Sequence, residues 1–354
     1  MLKQAKLAVL RAAETVGVSS LVAGGAWRRG RLLILCYHGV SMNDEHAWSD
    51  LYVSPEFFRR RMELIRQARC SVLPLDEALD RLQRETLPDR AVALTFDDGF
   101  HDFYRVAFPL LEAYGYPVTL YLTTYYVGFN RPVFDPACSY LLWKGRRRER
   151  LDWPEVFPGG AALDEAGRAG AVRRFKQYAH LRKLSGAEKD GLLRQLAERL
   201  EIDYDDLCRR RVLHLITPEE GRDLAARGVD LQLHTHRHRV YRRRNRMFQE
   251  LNDNRSRIRE LTPKEPRHFC YTGGFYLPEH VSQLREYGIC SATTCRPGLC
   301  TRATDPLELP RLVDSMSQSD LEFRAWMAGT ADLLPKRRHE MSEDQLGEED
   351  TPGA

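Results

Sequence analysis

Short apolar runs recur along an otherwise polar chain, separated by stretches with helical spacing. Residues Ala91, Val92, Ala93, Leu94, Thr95 and Phe96 are apolar almost throughout, as expected of a strand buried on both faces of a parallel sheet. Val229, Leu231 and Leu233 alternate with Asp230 and Gln232, the period of two that a strand presents to a core on one side. The same reading predicts strands over 32–37, 72–75, 91–96, 117–122, 229–234, 268–271, 289–293 and 307–312, with helices such as 55–68 and 103–114 between them. Strand and helix in alternation define an α/β chain and favour an incomplete TIM-like barrel.

Three segments depart from that rhythm. Residues 131–218 carry more charge and more helix formers than one barrel connection needs, so a helical insertion is predicted there. Within it, Tyr140 and Trp143-Lys144-Gly145-Arg146-Arg147-Arg148 offer stacking and charge to an anionic sugar or diphosphate, or simply form a solvated helix end. Residues 1–30 read as an amphipathic helix, with Leu2, Ala5, Leu7, Val9, Leu10, Val16 and Leu21 beside basic positions and Trp27, Arg28, Arg29 and Arg31 at its close. Such a helix packs on the barrel or lies on an anionic membrane surface. Residues 336–354 are polar and acidic and are expected to be disordered. One domain over 31–335 accounts for the rest.

Composition narrows the setting. A chain of 354 residues with 43% hydrophobic content can bury one large core. Its net charge of +4 is small against 54 basic and 50 acidic residues, so overall charge gives no reason to expect nucleic acid. Eight cysteines without a Cys-x-x-Cys pair read as reduced thiols. Arg11 and Glu14 interrupt what would have to be the apolar core of a signal peptide, and no apolar run reaches membrane-spanning length. The expectation is a cytoplasmic enzyme, peripheral on the inner membrane face through residues 1–30.

Two of the apolar runs end in reactive residues. Thr95-Phe96-Asp97-Asp98-Gly99 closes one, and His234-Thr235-His236-Arg237-His238 follows another. In parallel α/β folds, chemistry collects at strand carboxyl ends. A borderline divalent ion takes imidazole nitrogen and carboxylate oxygen, and a hydrolytic site keeps three protein ligands with one position for water. His234, His238 and one of the aspartates supply that triad. The other aspartate is then free to accept a proton from a water whose pKa has fallen to about 7. Each segment also has a simpler use: Asp-Asp-Gly builds turns, and His-x-x-x-His among arginines suits a solvated face.

Leu94-Thr95-Phe96-Asp97-Asp98-Gly99-Phe100 together with His234-Thr235-x-x-His238 resembles the first two motifs of the polysaccharide deacetylases, the NodB-like enzymes of carbohydrate esterase family 4. The resemblance extends over residues 31–330 and implies a distorted (β/α)7 barrel. It makes Asp97 the catalytic base and Asp98, His234 and His238 the ligands of one divalent metal ion, with zinc expected; His236 is left unassigned. Leu32-Leu33-Ile34-Leu35-Cys36-Tyr37-His38-Gly39-Val40 is similar to the Tyr-His-x-Val segment that opens the permuted branch, typified by exopolysaccharide N-deacetylases. That implies His38 as general acid, the role that a carboxyl-terminal Leu-x-His motif fills in the unpermuted branch.

The third motif departs from the family pattern. In His268-Phe269-Cys270-Tyr271-Thr272-Gly273-Gly274, Cys270, Tyr271 and Thr272 stand where many members have Arg, Pro and Pro. The arginine that holds the catalytic aspartate is therefore missing there, and Arg311 is the candidate replacement. Asp314 is a candidate partner for Arg311, or else one half of a surface ion pair. Backbone amides near Tyr271 and Thr272 are candidates for an oxyanion hole, and the resemblance implies that this segment shapes the acetyl pocket. The expected activity is metal-dependent removal of acetyl from N-acetylated sugars of a polysaccharide or its lipid-linked precursor. Two rivals are another metal-dependent amidase or esterase on the same barrel, and a noncatalytic carbohydrate-binding assembly protein.

Overall fold

Seven parallel strands form a curled sheet in the computed structural model, which describes residues 2–336. They are β1 (Leu33–Tyr37), β2 (Ala91–Asp98), β3 (Val118–Leu122), β4 (Asp230–Leu233), β5 (His268–Cys270), β6 (Ser291–Thr293) and β7 (Leu312–Val313), in the order β6-β5-β4-β3-β2-β1-β7. Leu309 pairs with Thr293 of β6 while Leu312 pairs with Leu35 of β1, so the segment 309–313 joins the two ends of the sheet. A short strand, Ser71–Val72, adds to the start of β2. The strands are buried almost throughout, as continuous apolar runs inside a layer of helices require.

The helices that cover the sheet are built by ordinary local rules. Pro55–Gln67 starts with proline in its first turn, and the Ser54 side chain accepts a hydrogen bond from the Phe57 amide, a standard N-terminal cap. Phe58, Met62 and Ile65 form its buried stripe, and Phe58 meets Tyr37 and Phe96 edge-on, with centroids 5.0 and 5.6 Å apart.

Four expectations are corrected. Pro74 precedes a helix, Leu75–Gln83, so the strand expected at 72–75 is confined to Ser71–Val72. Over 307–312, Pro306–Glu308 is a 3-10 turn and only Leu312–Val313 is strand; Pro306 and Pro310 lack the N–H a continuous ladder needs. The amino-terminal helix is three, Leu2–Thr15, Val18–Gly24 and Ala26–Arg29, bent by 75° at the first break, where Gly17 adopts φ 77. The insertion is not purely helical. Arg150–Trp153 and Phe157–Ala162 form an antiparallel hairpin in which Leu151 and Trp153 are buried while Arg150 and Asp152 are exposed, a two-residue alternation set among helices. The expectation for 336–354 falls outside the described residues except at Lys336.

The insertion also bears on the site. On its return, Leu215 bridges Phe100, the Ile216 amide donates to Gly99 O at 2.9 Å, and the His101 amide donates to His214 O at 2.8 Å. The loop after Asp98 is thereby clamped. The amino-terminal helices dock through Leu10, Ala23 and the fully buried Arg28, whose guanidinium donates to the carbonyls of Met327, Arg31 and Ala91. Val9, Val16, Val18 and Leu21 stay exposed. No single helix among the described residues is long and apolar enough to cross a membrane.

Candidate active site

β2 delivers two carboxylates in succession, and neighbouring side chains in a strand point to opposite faces. Asp97 turns inward and is buried; its Oδ1 and Oδ2 accept from Arg311 Nη1 at 2.7 Å and Nη2 at 2.8 Å. Arg311 is itself fully buried and also donates to Thr294 O and Thr95 Oγ1. The fork-to-fork geometry is the strong form of an ion pair. Arg311 thus takes the position for which the sequence made it a candidate, reaching Asp97 from just before β7. Burial alone would raise the Asp97 carboxyl, but the Arg311 charge and its hydrogen bonds outweigh it and hold Asp97 well below the usual carboxylate range.

Two thiols complete the surroundings of Asp97. Cys36 Sγ lies 3.5 Å and Cys270 Sγ 3.3 Å from Oδ2, and Arg311 Nη2 is 3.0 Å from the Cys270 sulfur. Burial pushes the Cys36 thiol well up, so it stays protonated and donates. Cys270, where the resemblance leads one to expect arginine, thus meets Asp97 through a thiol, while the guanidinium comes from Arg311.

Asp98 turns the other way, in the left-handed region at φ 72. Gly99 follows at φ 87, where a Cβ would collide with Leu122 Cδ1, so glycine is required there. Asp98 Oδ1 lies 3.2 Å from His234 Nε2 and 3.2 Å from His238 Nε2. His234 Nδ1 is 2.9 Å from Cys270 O. A carbonyl cannot donate, so the neutral ring carries its proton on Nδ1 and presents a bare lone pair on Nε2. That lone pair meets a carboxylate oxygen that is buried and has no hydrogen-bond partner. Two acceptors at this distance repel, so the contact is closed by a proton on the imidazole, towards which these surroundings push His234, or by a cation that takes the proton's place. The residues present therefore fit a divalent ion, with one oxygen and two nitrogens as donors.

Two other groupings, Cys36-His38-Asp97 and Asp97-His234-Cys270, also bring ligand atoms together. Both depend on Asp97, whose oxygens are already engaged by Arg311. Asp98-His234-His238 is the set whose carboxylate is not committed elsewhere.

The histidine turn is held by contacts distant in sequence. Thr235 and His238 adopt φ 60 and 57, uncommon for residues with a Cβ and strained for β-branched Thr235. Thr235 Oγ1 accepts from the Arg239 amide at 3.0 Å. Buried Asn254 accepts from the His234 amide and donates to Leu122 O and Thr124 Oγ1, each at 2.9 Å. Sequence reasoning missed Asn254. Its signal was a polar residue at a core-facing position, in step with Met247, Leu251 and Ile258 on the helix Arg244–Arg259.

His38 follows β1, whose Tyr37 is in register with Phe96, and its Nε2 lies 3.7 Å from Asp97 Oδ2. Its Nδ1 is buried without a partner. Burial lowers the His38 pKa, against the opposing pull of Asp97 and Asp98.

Two expectations fail on geometry. Asp314 does not pair with Arg311; it accepts from Arg61 Nε and Tyr37 Oη, each at 2.9 Å, on the outer side of the barrel. An odd spacing of three along an extended segment puts the two residues on opposite faces. The Tyr271 amide is not free for an oxyanion, because it donates to Thr293 O at 3.1 Å. Tyr271 Oη donates to Leu307 O, and its buried ring stacks on Tyr276 at 4.6 Å. Thr272 is buried, and its Oγ1 has no hydrogen-bond partner.

This geometry coincides with a sequence match. The polysaccharide deacetylase model matches residues 84–156 and 183–292, which include both aspartates and both histidines but neither His38 nor Arg311. The fold is that of a NodB-like barrel hydrolase, and the chain belongs to the polysaccharide deacetylase family. It is 30% identical over 116 residues to "Putative polysaccharide deacetylase YxkH" of Bacillus subtilis (strain 168), a match spanning 32% of this chain and 40% of that protein. Among solved structures, it is similar to the Streptococcus pyogenes deacetylase PplD in complex with acetate (TM-score 0.55, 17% identity, 84% of this chain and 98% of that one). It is equally similar to IcaB from Ammonifex degensii (TM-score 0.55, 18% identity, 84% and 97%). At these identities the structural likeness speaks for the fold.

Proposed function

We propose that the chain is a metal-dependent hydrolase that removes acetyl from N-acetylated sugars of a polysaccharide or its lipid-linked precursor. The observation that carries this is the convergence of Asp98 Oδ1 with Nε2 of His234 and Nε2 of His238, beside a second carboxylate held separately by Arg311. A divalent ion held by Asp98, His234 and His238, zinc by the character of the donors, supplies Lewis acidity and lowers the pKa of water.

The chain's own groups divide the remaining work. Arg311 holds the Asp97 carboxyl low, which favours the ionised form that accepts the proton of the attacking water. Arg311 and the two thiols fix its orientation. His38, on the neighbouring strand end, protonates the departing amine; sugar amine and acetate leave. An amidase or esterase of another substrate class would use the same groups, and acetate release from N-acetylated glycans separates the two. The noncatalytic reading has no use for a base kept ionised beside a cation-ready triad.

The His38 role has a direct check. A general acid contributes about 10²- to 10⁴-fold, so His38→Ala is expected to lose turnover on that order while keeping its metal. Since burial lowers the His38 pKa, the wild-type basic limb of kcat/KM falls on the acid side of the ordinary histidine value of about 6.5, and the variant lacks it. Near-normal turnover in folded His38→Ala would refute the role.

A cytoplasmic chain peripheral on the inner membrane face is part of the same proposal. The exposed apolar residues Val9, Val16, Val18 and Leu21, close to Arg11, support contact with an anionic bilayer surface. The full chain is expected to co-sediment with anionic vesicles, and Val16→Asp with Leu21→Asp to reduce this sharply. Equal sedimentation of the two would contradict it.

A further inference from the structure

We infer that the rim beside the histidine turn, from Phe129 and Tyr125 to the arginines of 237–246, binds a glycan bearing oxyanions, carboxylate or phosphoryl. The inference rests on the deacetylase reading and adds the charge class of its substrate.

Charge is the first observation. Residues 237–246 hold six arginines and no carboxylate, in a chain whose net charge is only +4; without this segment the chain would be net acidic by two. All of residues 242–246 are exposed. The placement opposes local stability. Arg243 is the N-cap of Arg244–Arg259, Arg244 and Arg246 follow, and the first turn has no acidic residue, although a helix N-terminus favours negative charge. Glu250, Asp253 and Glu286 pair with Arg237 and Arg244, and the excess of cations that six arginines leave next to a reaction centre concentrates anions.

Shape is the second. A cavity of about 520 Å³ is lined by Arg243, Arg244, Asn245, Arg246 and Gln249. A neighbouring one of about 250 Å³ shares Arg246 and Gln249 and is also lined by Arg237, Tyr241 and Glu250, whose carboxylate is engaged by Arg237. The two adjoin at Arg246 and Gln249, and Arg237, which lines the second, belongs to the turn that carries His238. The turn is braced, not loose: Arg237 donates to Glu250 at 2.6 Å and to Asp253 at 3.2 Å, and Arg244 is paired with Glu286.

The third observation is aromatic. Tyr125 and Phe129 are 39% and 41% exposed and meet edge-on at 5.6 Å. Tyr125 is 5.6 Å from the His236 ring and its amide donates to His236 O at 2.8 Å, so the pair is fixed to the histidine turn. Arginines flank both rings, Arg237 Cζ 5.8 Å from Tyr125 and Arg131 Cζ 4.7 Å from Phe129. Exposed, clustered aromatics mark a binding surface, and a flat ring offers a pyranose its apolar face. Rings for the sugar and guanidinium forks for its anions lie along one path. His236, which has no place in the metal triad, thereby acquires a use as the anchor of the aromatic rim.

The test is titration calorimetry on full-length Asp97→Asn protein, in which turnover is blocked, with three N-acetylated oligosaccharides of equal length. One is neutral, one contains uronic acid residues, and one is neutral but ends in a diphosphate. At least one anionic glycan is expected to bind about tenfold or more tighter than the neutral one, with the advantage shrinking as salt rises from about 0.05 to 0.3 M; which one it is identifies the oxyanion. Arg243→Ala with Arg246→Ala should erase the advantage at unchanged thermal midpoint, whereas Tyr125→Ala should weaken all three alike. Equal affinity for all three glycans overturns the inference, as does tighter binding of a single-stranded oligonucleotide than of either anionic glycan. If wild-type protein releases acetate from the neutral glycan with a KM matching the anionic ones, the inference fails and the deacetylase reading stands. If the anionic preference holds but no glycan yields acetate, the deacetylase reading fails instead.

Discussion

Asp97→Asn is expected to abolish measurable acetate release while retaining its metal, and Asp98→Asn to lose both. The two residues are adjacent and differ by one oxygen-to-nitrogen replacement each, so the contrast isolates their roles. Asp97 is bound by Arg311 through both oxygens, and an asparagine there still accepts from the guanidinium but cannot take up a proton. The loss belongs at or beyond the upper end of the 10²- to 10⁴-fold range for acid–base groups, roughly 10⁴, because the amide that replaces the carboxylate has no basicity. Asp98 instead contributes the oxygen that faces His234 and His238. Acetate assays paired with elemental analysis check both. If Asp97→Asn lost the metal and Asp98→Asn kept it, base and ligand would be exchanged.

Arg311→Met is expected to destabilise the fold by about 3–5 kcal/mol, the usual cost of leaving one member of a buried pair uncompensated. Both side chains are essentially inaccessible to water. The sign with pH follows from the depressed Asp97 pKa: the pair's contribution is fully present above the unfolded value of about 4 and is lost as pH falls through the folded one. In Arg311→Met the burial term is no longer opposed, the Asp97 pKa rises above its ordinary value, and stability declines as pH rises through the unfolded value. Denaturant titrations at two pH values measure this. The double variant Asp97→Asn with Arg311→Met should be less destabilised than the sum of the two. A cost under about 1 kcal/mol, the range of an exposed pair, would mean that Arg311 does not hold Asp97.

The barrel and its reactive ends were legible because they rest on local signals: apolar runs of strand length and motifs that follow them directly. Asp97, Asp98 and His234 each sit one or two residues past such a run, and His238 follows four residues after His234. Arg311 could be singled out only by the absence of an arginine at Cys270. Tertiary contacts left no comparable trace. Asp314 pairs with Arg61 across 253 residues, and nothing near either residue announces the other; the nearest arginine in sequence was the wrong choice because strand pleating puts it on the opposite face. Asn254 supports His234 from a helix so charged that one more polar residue attracts no notice. The amino-terminal helix broke where Gly17 permits a left-handed turn, which apolar periodicity averaged over. The hairpin in the insertion escaped for the opposite reason, its four-residue alternation of Arg150 to Trp153 being too short to stand out among helix formers.

The central claim is that acetate release depends on an ion held by Asp98, His234 and His238. Its most direct measurement is acetate release from an N-acetylated oligosaccharide by the wild-type chain as purified, after chelation, and after re-addition of one equivalent of zinc, with His234→Ala alongside. The account predicts activity lost on chelation, restored by the added ion, and not restorable in His234→Ala. Undiminished acetate release from the chelated protein, or restoration in His234→Ala equal to that of wild type, would contradict it.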